Sequence, residues 1–394
     1  MPNIFLLGLV SFFADLSTEM VYPLIPLYLV SVLGATPVLV GIIEGIAESV
    51  ASLLKVFSGY FTDRYQNKKV FAFCGYGGGV LYKLGLLLAT SWTGILAARV
   101  IDRIGKGVRT APRDVLVSES SAAGSMGKSF GIHKALDMAG SALGILIAYL
   151  LLTNSGSSFD YKRLFLISII PAILGLVVIL FVKEKKQPRP PRSREPFWQR
   201  LRELDKNLKL YLLVAFIFTL GNSSNTFLLL RAKSIGFTDT NVVLLYLVFN
   251  LTAAVLSIPF GKLSDKIGRK KLLVGGYLAF AAVYLGFAYV SNAAVMVIIF
   301  IIYGFYTAST AGVERALIAE ISPSELKGTM LGLHSTLVGV ALLPASVIAG
   351  LLWNAFGAFA PFTFGAILAL VAAILLGCFL NNGSQNTSAK KIVA

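Results

Sequence analysis

The sequence predicts an all-α integral membrane protein with twelve transmembrane helices in two pseudo-symmetric six-helix halves. Three observations predict it. The 394 residues are 56% hydrophobic and only 14% charged, against about a quarter charged in an ordinary soluble domain, and the mean hydropathy is +0.78. The apolar residues fall into about a dozen runs, each close to the roughly 20 residues that a bilayer-spanning helix needs. A charged signature at the end of such a run then recurs with an offset of 202 residues, Gly59 matching Gly261 and Asp63 matching Asp265, which marks an internal duplication.

The runs place the first six spans at 4–33, 38–60, 70–88, 95–117, 130–152 and 164–182, so the N-terminal half covers 1–182. The first span begins almost at Met1, lacks a basic leader and shows no small-residue cleavage site before Asp15, so it reads as a retained helix. A basic, Pro-rich connection follows at 183–207. Its 197–208 stretch reads equally as a solvated linker or as a short amphipathic helix on the membrane surface. The second six spans lie at 208–230, 242–260, 272–290, 295–318, 330–353 and 362–379, giving a C-terminal half of 208–380. The polar tail 381–394 reads as disordered.

A net charge of +16 invites a nucleic-acid reading, but its placement argues for a membrane. Lys and Arg crowd alternate connections: Arg64, Lys68 and Lys69, then 183–209, then 262–271, then Lys390 and Lys391. The opposite connections, near Ala35, Ser91, Ser291 and Phe356, are almost uncharged. This positive-inside alternation puts both termini and the central connection in the cytoplasm of an inner, plasma-membrane setting. Cys74 and Cys378 fall inside spans of opposite halves and read as small apolar packing residues rather than as a disulfide.

The repeat extends further: the two histidines, His133 and His334, stand 201 residues apart. With Gly59, Asp63, Arg64, Lys68 and Lys69 in the first half, and Gly261, Asp265, Lys266, Arg269, Lys270 and Lys271 in the second, the chain resembles the major facilitator superfamily of twelve-helix secondary transporters. Its loop signature lies between spans two and three and again at the homologous place in the second half. The resemblance implies a gating role for Gly59, Asp63, Arg64, Lys68, Lys69, Gly261, Asp265, Lys266 and Arg269. Physically, the glycine allows close helix approach, and the aspartate can cap a helix N-terminus or pair with a cation.

Ionisable residues inside spans are costly and mark partners or wet cavities. Asp15 and Glu19 are i,i+4 and share one helix face, which Tyr22 and Pro26 continue. Glu44, Glu48 and Lys55 share a face of the second span. The fourth carries Arg99, Arg103, Lys106 and Arg113 as a stripe, with Asp102 and Arg109 beside it. At about 1.5 Å per residue, Glu19, Glu44 and Arg99 match in depth, as do Asp15, Glu48, Asp102 and Arg103. The expected proton-coupling set is therefore Asp15, Glu19, Glu44, Glu48, Arg99, Asp102 and Arg103, with Arg99 or Arg103 opposing the first-span carboxylates. The segment from Leu96 to Gly107 resembles the fourth-span signature of the superfamily's proton-driven antiporters, with Arg99 at its arginine. Asp102 and Arg103 depart from that signature. Gly131, Gly140 and Gly144 keep the spacing of the fifth-span antiporter motif, whereas Ile145 and Ala148 replace its Pro and last Gly.

Substrate contacts are expected at Tyr22, Arg113, His133, Asp137, Asn222, Asn225, Asn250, Tyr303 and Tyr306. In the second half, neutral amides beside aromatics suit a medium-sized organic ligand. Together these readings predict a secondary active transporter of a small organic solute, working by alternating access and exporting against protons. Uptake or facilitated movement of an organic anion, and export of a divalent metal, remain alternatives. The sequence carries no hydrolase triad or zinc-protease motif and is not expected to be an enzyme. No cofactor or resident metal is expected; the expected partners are the solute, protons and the lipid bilayer around a monomer.

Overall fold

A computed structural model describes residues 2–65, 67–120, 126–154, 160–184, 206–321 and 327–380. The N-terminal half consists of α1 (Pro2–Val21), α2 (Ile25–Ser31), α3 (Pro37–Tyr65), α4 (Lys68–Leu88), α5 (Trp92–Ser120), α6 (Met126–Asn154) and α7 (Tyr161–Val178). The C-terminal half consists of α8 (Lys206–Gly221), α9 (Thr226–Ser234), α10 (Asp239–Ile267), α11 (Arg269–Tyr289), α12 (Ala293–Ile321), α13 (Lys327–Phe356) and α14 (Ala360–Phe379). Counting α1 with α2, and α8 with α9, as single broken spans gives twelve crossings in two halves.

Eleven of these crossings are apolar and long enough to span a bilayer unaided. The twelfth, α5, is too charged to qualify alone, yet Arg99, Asp102 and Arg103 are buried against its neighbours. Five helices, α3, α5, α6, α10 and α12, contain 29 residues each, or about 43 Å at helical rise. They outreach the roughly 30 Å hydrocarbon layer, which is why they overrun the spans expected from hydropathy.

Two breaks were not legible as breaks in the sequence. After Val21 the chain makes a 3₁₀ turn at Tyr22–Leu24, with Pro23 and Pro26 buried beside it. The Asp15–Glu19 face therefore reaches Tyr22 and Pro26 through a change of helix type. In the other half, Asn222–Asn225 separates α8 from α9. There Ser224 Oγ accepts from the Thr226 backbone N–H at 3.3 Å, so a side chain competes with the helical ladder. The two breaks stand about 200 residues apart in sequence and occupy corresponding positions in the repeat.

The end that carries Pro2 is tied within the N-terminal half. Asn3 donates to Ser120 Oγ at 2.6 Å and to the Lys183 carbonyl at 2.9 Å. Glu184 accepts from the backbone N–H groups at the start of α4, Lys68 at 2.8 Å and Lys69 at 3.3 Å, the placement a helix N-terminus favours for a carboxylate. Lys68 Nζ pairs with Glu119 and Lys69 Nζ donates to the Leu180 carbonyl. In the signature's second copy Lys266 is exposed and Gly268 adopts a φ of +91°, where glycine is favoured. The backbones of Gly59, Asp63, Arg64, Gly261 and Asp265 belong to α3 and α10, but these residues fall outside those whose side chains the structure describes. The 197–205 part of the connection and the tail 381–394 lie outside the described residues.

At the opposite end the halves close on each other. Tyr161 Oη donates to Asp239 Oδ2 at 2.5 Å, and one apolar cluster runs from Met20, Leu24 and Ile43 into Phe227, Val242 and Tyr246. A separate cluster of Leu7, Val10, Ala72, Tyr76 and Leu116 fills the terminal end of the N-terminal half. Between the halves α3 and α13 run nearly backbone to backbone: Gly41 meets the Ser346 carbonyl, Gly45 meets Leu343, Gly339 meets Ser52 and Gly350 meets Pro37. Cys74 and Cys378 are free and exposed on the outer faces of α4 and α14, so they do not serve as the interior packing residues the sequence suggested.

Candidate functional site

Buried charges in a spanning helix need partners or water, and α3 supplies partners for α5. Arg99 Nη2 donates to both Glu44 oxygens at 2.6 Å. Arg103 Nη1 lies 3.0 Å from Glu48 Oε1, and its Nε lies 3.6 Å from Asp102 Oδ2. Arg99 is 0% exposed; its guanidinium stands 5.4 Å from the Tyr22 ring centre, while Nε and Nη1 have no hydrogen-bond partner among the described residues. Pairing at matched depth is thus what the helices show, but with α3 rather than with Asp15 and Glu19. Farther along α5, Arg113 donates from Nε and Nη2 to Asp114 at 3.0 and 2.9 Å.

The α1 carboxylates find other company. Tyr246 of α10 donates to Glu19 Oε2 at 3.2 Å across the interface between halves, and its ring lies 5.7 Å from that of Tyr22. Asp15 faces Asp137 of α6, the two carboxyl groups lying within hydrogen-bonding reach of each other. Such close approach depends on Gly140 and Gly144: a methyl group at either would collide with the Phe12 or Leu16 carbonyl of α1. The glycine spacing noted in the sequence therefore has a packing function, whatever else it does. Lys106 and Arg109 lie within electrostatic reach of Asp15, and Lys134 pairs with Asp137 at 2.6 Å. His133, also on α6, hydrogen-bonds Ser11 Oγ through Nε2 at 2.9 Å. Ser11 in turn lies 3.3 Å from Tyr76 Oη, and Arg109 stands 4.6 Å from the centre of the Tyr76 ring.

The corresponding place in the other half is built from Tyr211, Tyr277 and His334, which stand 200 or 201 residues after Ser11, Tyr76 and His133. The Tyr211 and His334 rings stack at 6.0 Å. Both tyrosines reach Glu314 of α12: Tyr277 Oη donates to Glu314 Oε1 at 3.2 Å and Tyr211 Oη to the Glu314 carbonyl at 3.3 Å. Glu314 and His334 border a cavity of about 260 Å³ that extends past Phe218, Tyr306, Tyr303 and Phe249 to Asn222 and Asn225 at the α8–α9 break. Asn222 Nδ2 donates to Tyr306 Oη at 3.2 Å, and Tyr303 Oη donates to Asn225 Oδ1 at 2.8 Å. Asn250 points its amide to the Tyr246 carbonyl at 2.8 Å. Of the expected substrate contacts, Asn222, Asn225, Tyr303 and Tyr306 thus converge on one cavity. Tyr22, Arg113, His133 and Asp137 belong to the charged half, and Asn250 is not among the cavity's lining.

The sequence is matched by the family model described as Major Facilitator Superfamily over residues 7–238 and again over 210–392. The chain belongs to the major facilitator superfamily. It is 38% identical over 380 residues to an uncharacterized MFS-type transporter of Methanocaldococcus jannaschii, covering 95% of this chain and 94% of that one. Over a shorter stretch of 143 residues, 36% of each chain, it is 30% identical to the multi-drug resistance efflux pump PmrA of Streptococcus pneumoniae. Its fold matches a crystal structure of a D-xylose–proton symporter with a TM-score of 0.73 at 19% identity, covering 96% of both chains.

Within this superfamily fold, the sequence reading passed over one buried cation and undervalued an anion. Lys83 sits in the middle of α4, 1% exposed, with Nζ donating to Thr18 Oγ1 at 3.2 Å; a lysine inside the apolar run 70–88 was its visible signal. Glu314 reads in sequence as a charge near a helix end, whereas in the fold it borders the cavity. Among the described residues no three His, Cys, Asp or Glu side chains converge as a metal site would require.

Proposed function

We propose that this superfamily member exports a small organic solute in exchange for protons, by alternating access, with both termini on the cytoplasmic side. The observation that carries the coupling is the close approach of the Asp15 and Asp137 carboxyl groups. Two carboxyl groups joined by a hydrogen bond hold one proton between them. Lys106 and Arg109 stand near the pair, so a change in the spacing of α1, α5 and α6 alters how firmly that proton is held. Arg99–Glu44 and Arg103–Glu48 fasten α5 to α3 and transmit that change, while Glu19 links it to the other half through Tyr246.

Export is supported by the antiporter-like pattern on α5 and by the likeness to an efflux pump. The halves are closed opposite the termini, and with the basic connections in the cytoplasm this reads as an inward-facing conformation. An organic-anion substrate held by the α5 arginines has less support, because Arg99, Arg103 and Arg113 each already bond a carboxylate.

The test is flux in proteoliposomes loaded with a pH-sensitive dye, using a panel of organic solutes under an imposed pH gradient. Solute-dependent proton movement is expected in the wild type and is expected to fall to background in Asp15→Asn and in Asp137→Asn. Solute flux without proton movement, equal in both variants, overturns the coupling.

A further inference from the structure

We propose that His133, hydrogen-bonded to Ser11, carries protons between the Asp15–Asp137 pair and the end of the N-terminal half that holds Pro2. This route rests on the coupling reading and deepens it, because it adds the path by which the held proton reaches the cytoplasm.

Register draws the path. His133 and Asp137 stand one turn apart on α6, as Ser11 and Asp15 do on α1. Ser11 Oγ meets His133 Nε2 at 2.9 Å, across a separation of 122 residues. Asp15 faces Asp137 across the same separation. Gly140 against Phe12 and Gly144 against Leu16 repeat the one-turn step, so α1 and α6 run parallel and in register. The two pairs are rungs of one ladder, about 6 Å apart at helical rise, a gap that one bridging water spans. Ser11–His133 is the rung nearer Pro2 and nearer the start of α6 at Met126.

Imidazole is suited to the step. One ring nitrogen can take up a proton while the other gives one away. In each transfer the carboxyl pair gives up a proton, the ring passes one on toward the cytoplasmic end, and the ring then returns to its first tautomer with no charge gained. Ser11 holds the ring in place and itself lies 3.3 Å from Tyr76 Oη. The charged groups facing His133 include Arg113 and Asp114 of α5 and Lys134 and Asp137 of α6. His133 is only 5% exposed, so along this seam the imidazole stands where bulk water does not.

The duplicated half marks the ladder as specific to the first. Counting from Tyr211 and His334, the places of Asp15 and Asp137 are taken by Ala215 and Val338, which carry no proton. The histidine that has a carboxyl pair one turn away is His133.

The experiment needs no solute, because the probe is the proton itself. The full chain in liposomes receives a rapid pH jump, and time-resolved infrared follows the carboxyl band that is lost in Asp15→Asn and Asp137→Asn. His133→Gln, which can still hydrogen-bond Ser11, is expected to slow the band's response at least about tenfold, with its amplitude and midpoint pH unchanged. His133→Ala is expected to be as slow and to speed up again when imidazole is added. All variants are first required to elute as the wild type does on gel filtration. An unchanged rate in His133→Gln, or a slow His133→Ala that imidazole does not speed, overturns the relay and leaves the coupling reading standing. A moved midpoint or a lost band in His133→Gln makes the histidine structural and also overturns the relay. If no titrating carboxyl band disappears in Asp15→Asn, the coupling reading fails and the relay fails with it.

Discussion

The Ser11–Tyr76–His133 group of the first half and the Tyr211–Tyr277–His334 group of the second occupy corresponding places, yet their electrostatics are opposite. Around the first, Arg109 covers the tyrosine and the carboxyl pair Asp15–Asp137 lies alongside. Around the second, Glu314 takes the tyrosine hydroxyl and aromatic rings open onto a cavity. Duplication preserved the scaffold and left the side chains free to diverge. One half became rich in paired charges, Arg99 meeting Glu44 and Arg103 meeting Glu48. The other sets Glu314 beside aromatic rings and a cavity.

The sharpest way to break this contrast is Arg99→Ala. It strands Glu44, 1% exposed, as a buried unpaired charge, and losing one partner of such a pair costs about 3–5 kcal/mol. A large drop in melting temperature in detergent is expected, with much of it restored by Arg99→Met combined with Glu44→Leu. A melt equal to wild type would show that the first half is not held by its charges. Next comes Tyr277→Phe, which removes a hydroxyl from the Glu314 carboxylate and should cost about 1.5–3 kcal/mol. Its counterpart Tyr76→Phe loses a neutral contact to Ser11, worth about 0.5–1.5 kcal/mol; the reverse order of melts would contradict the assigned difference between the groups. The smallest effect is expected from Lys134→Ala. Lys134 is 66% exposed where it pairs with Asp137, so a change within about 1 kcal/mol is expected, and a larger one would move Lys134 into the buried network.

The crossings and their pairing in two halves were legible because hydropathy and the repeated signature act along the chain. Glu44–Arg99 and Glu48–Arg103 were half legible: matched depth follows from helical rise, but which helix supplies the partner depends on lateral packing. That is why Asp15 and Glu19 seemed natural partners for the arginines and proved to face Asp137 and Tyr246. The cavity was legible only in part. Asn222, Asn225, Tyr303 and Tyr306 stood out as amides and tyrosines in apolar runs, whereas Phe218 and Phe249 are indistinguishable in sequence from rings that face lipid. The α8–α9 break at Asn222–Asn225 is what gathers them, and no periodicity announces it.

The glycine line between α3 and α13 has a mechanical consequence. Where Gly41, Gly45, Gly339 and Gly350 meet the opposite chain, the helices approach closely, with Ser49 Oγ donating to the Gly339 carbonyl at 2.7 Å as a polar tie across the seam. Close dispersion contact along that line resists pulling the helices apart, but it offers little to stop one from rolling on the other. The seam has the properties of a plain bearing: stiff to separation, smooth to rotation. Any bulky residue placed on it would act as grit, stalling motion while leaving both halves folded.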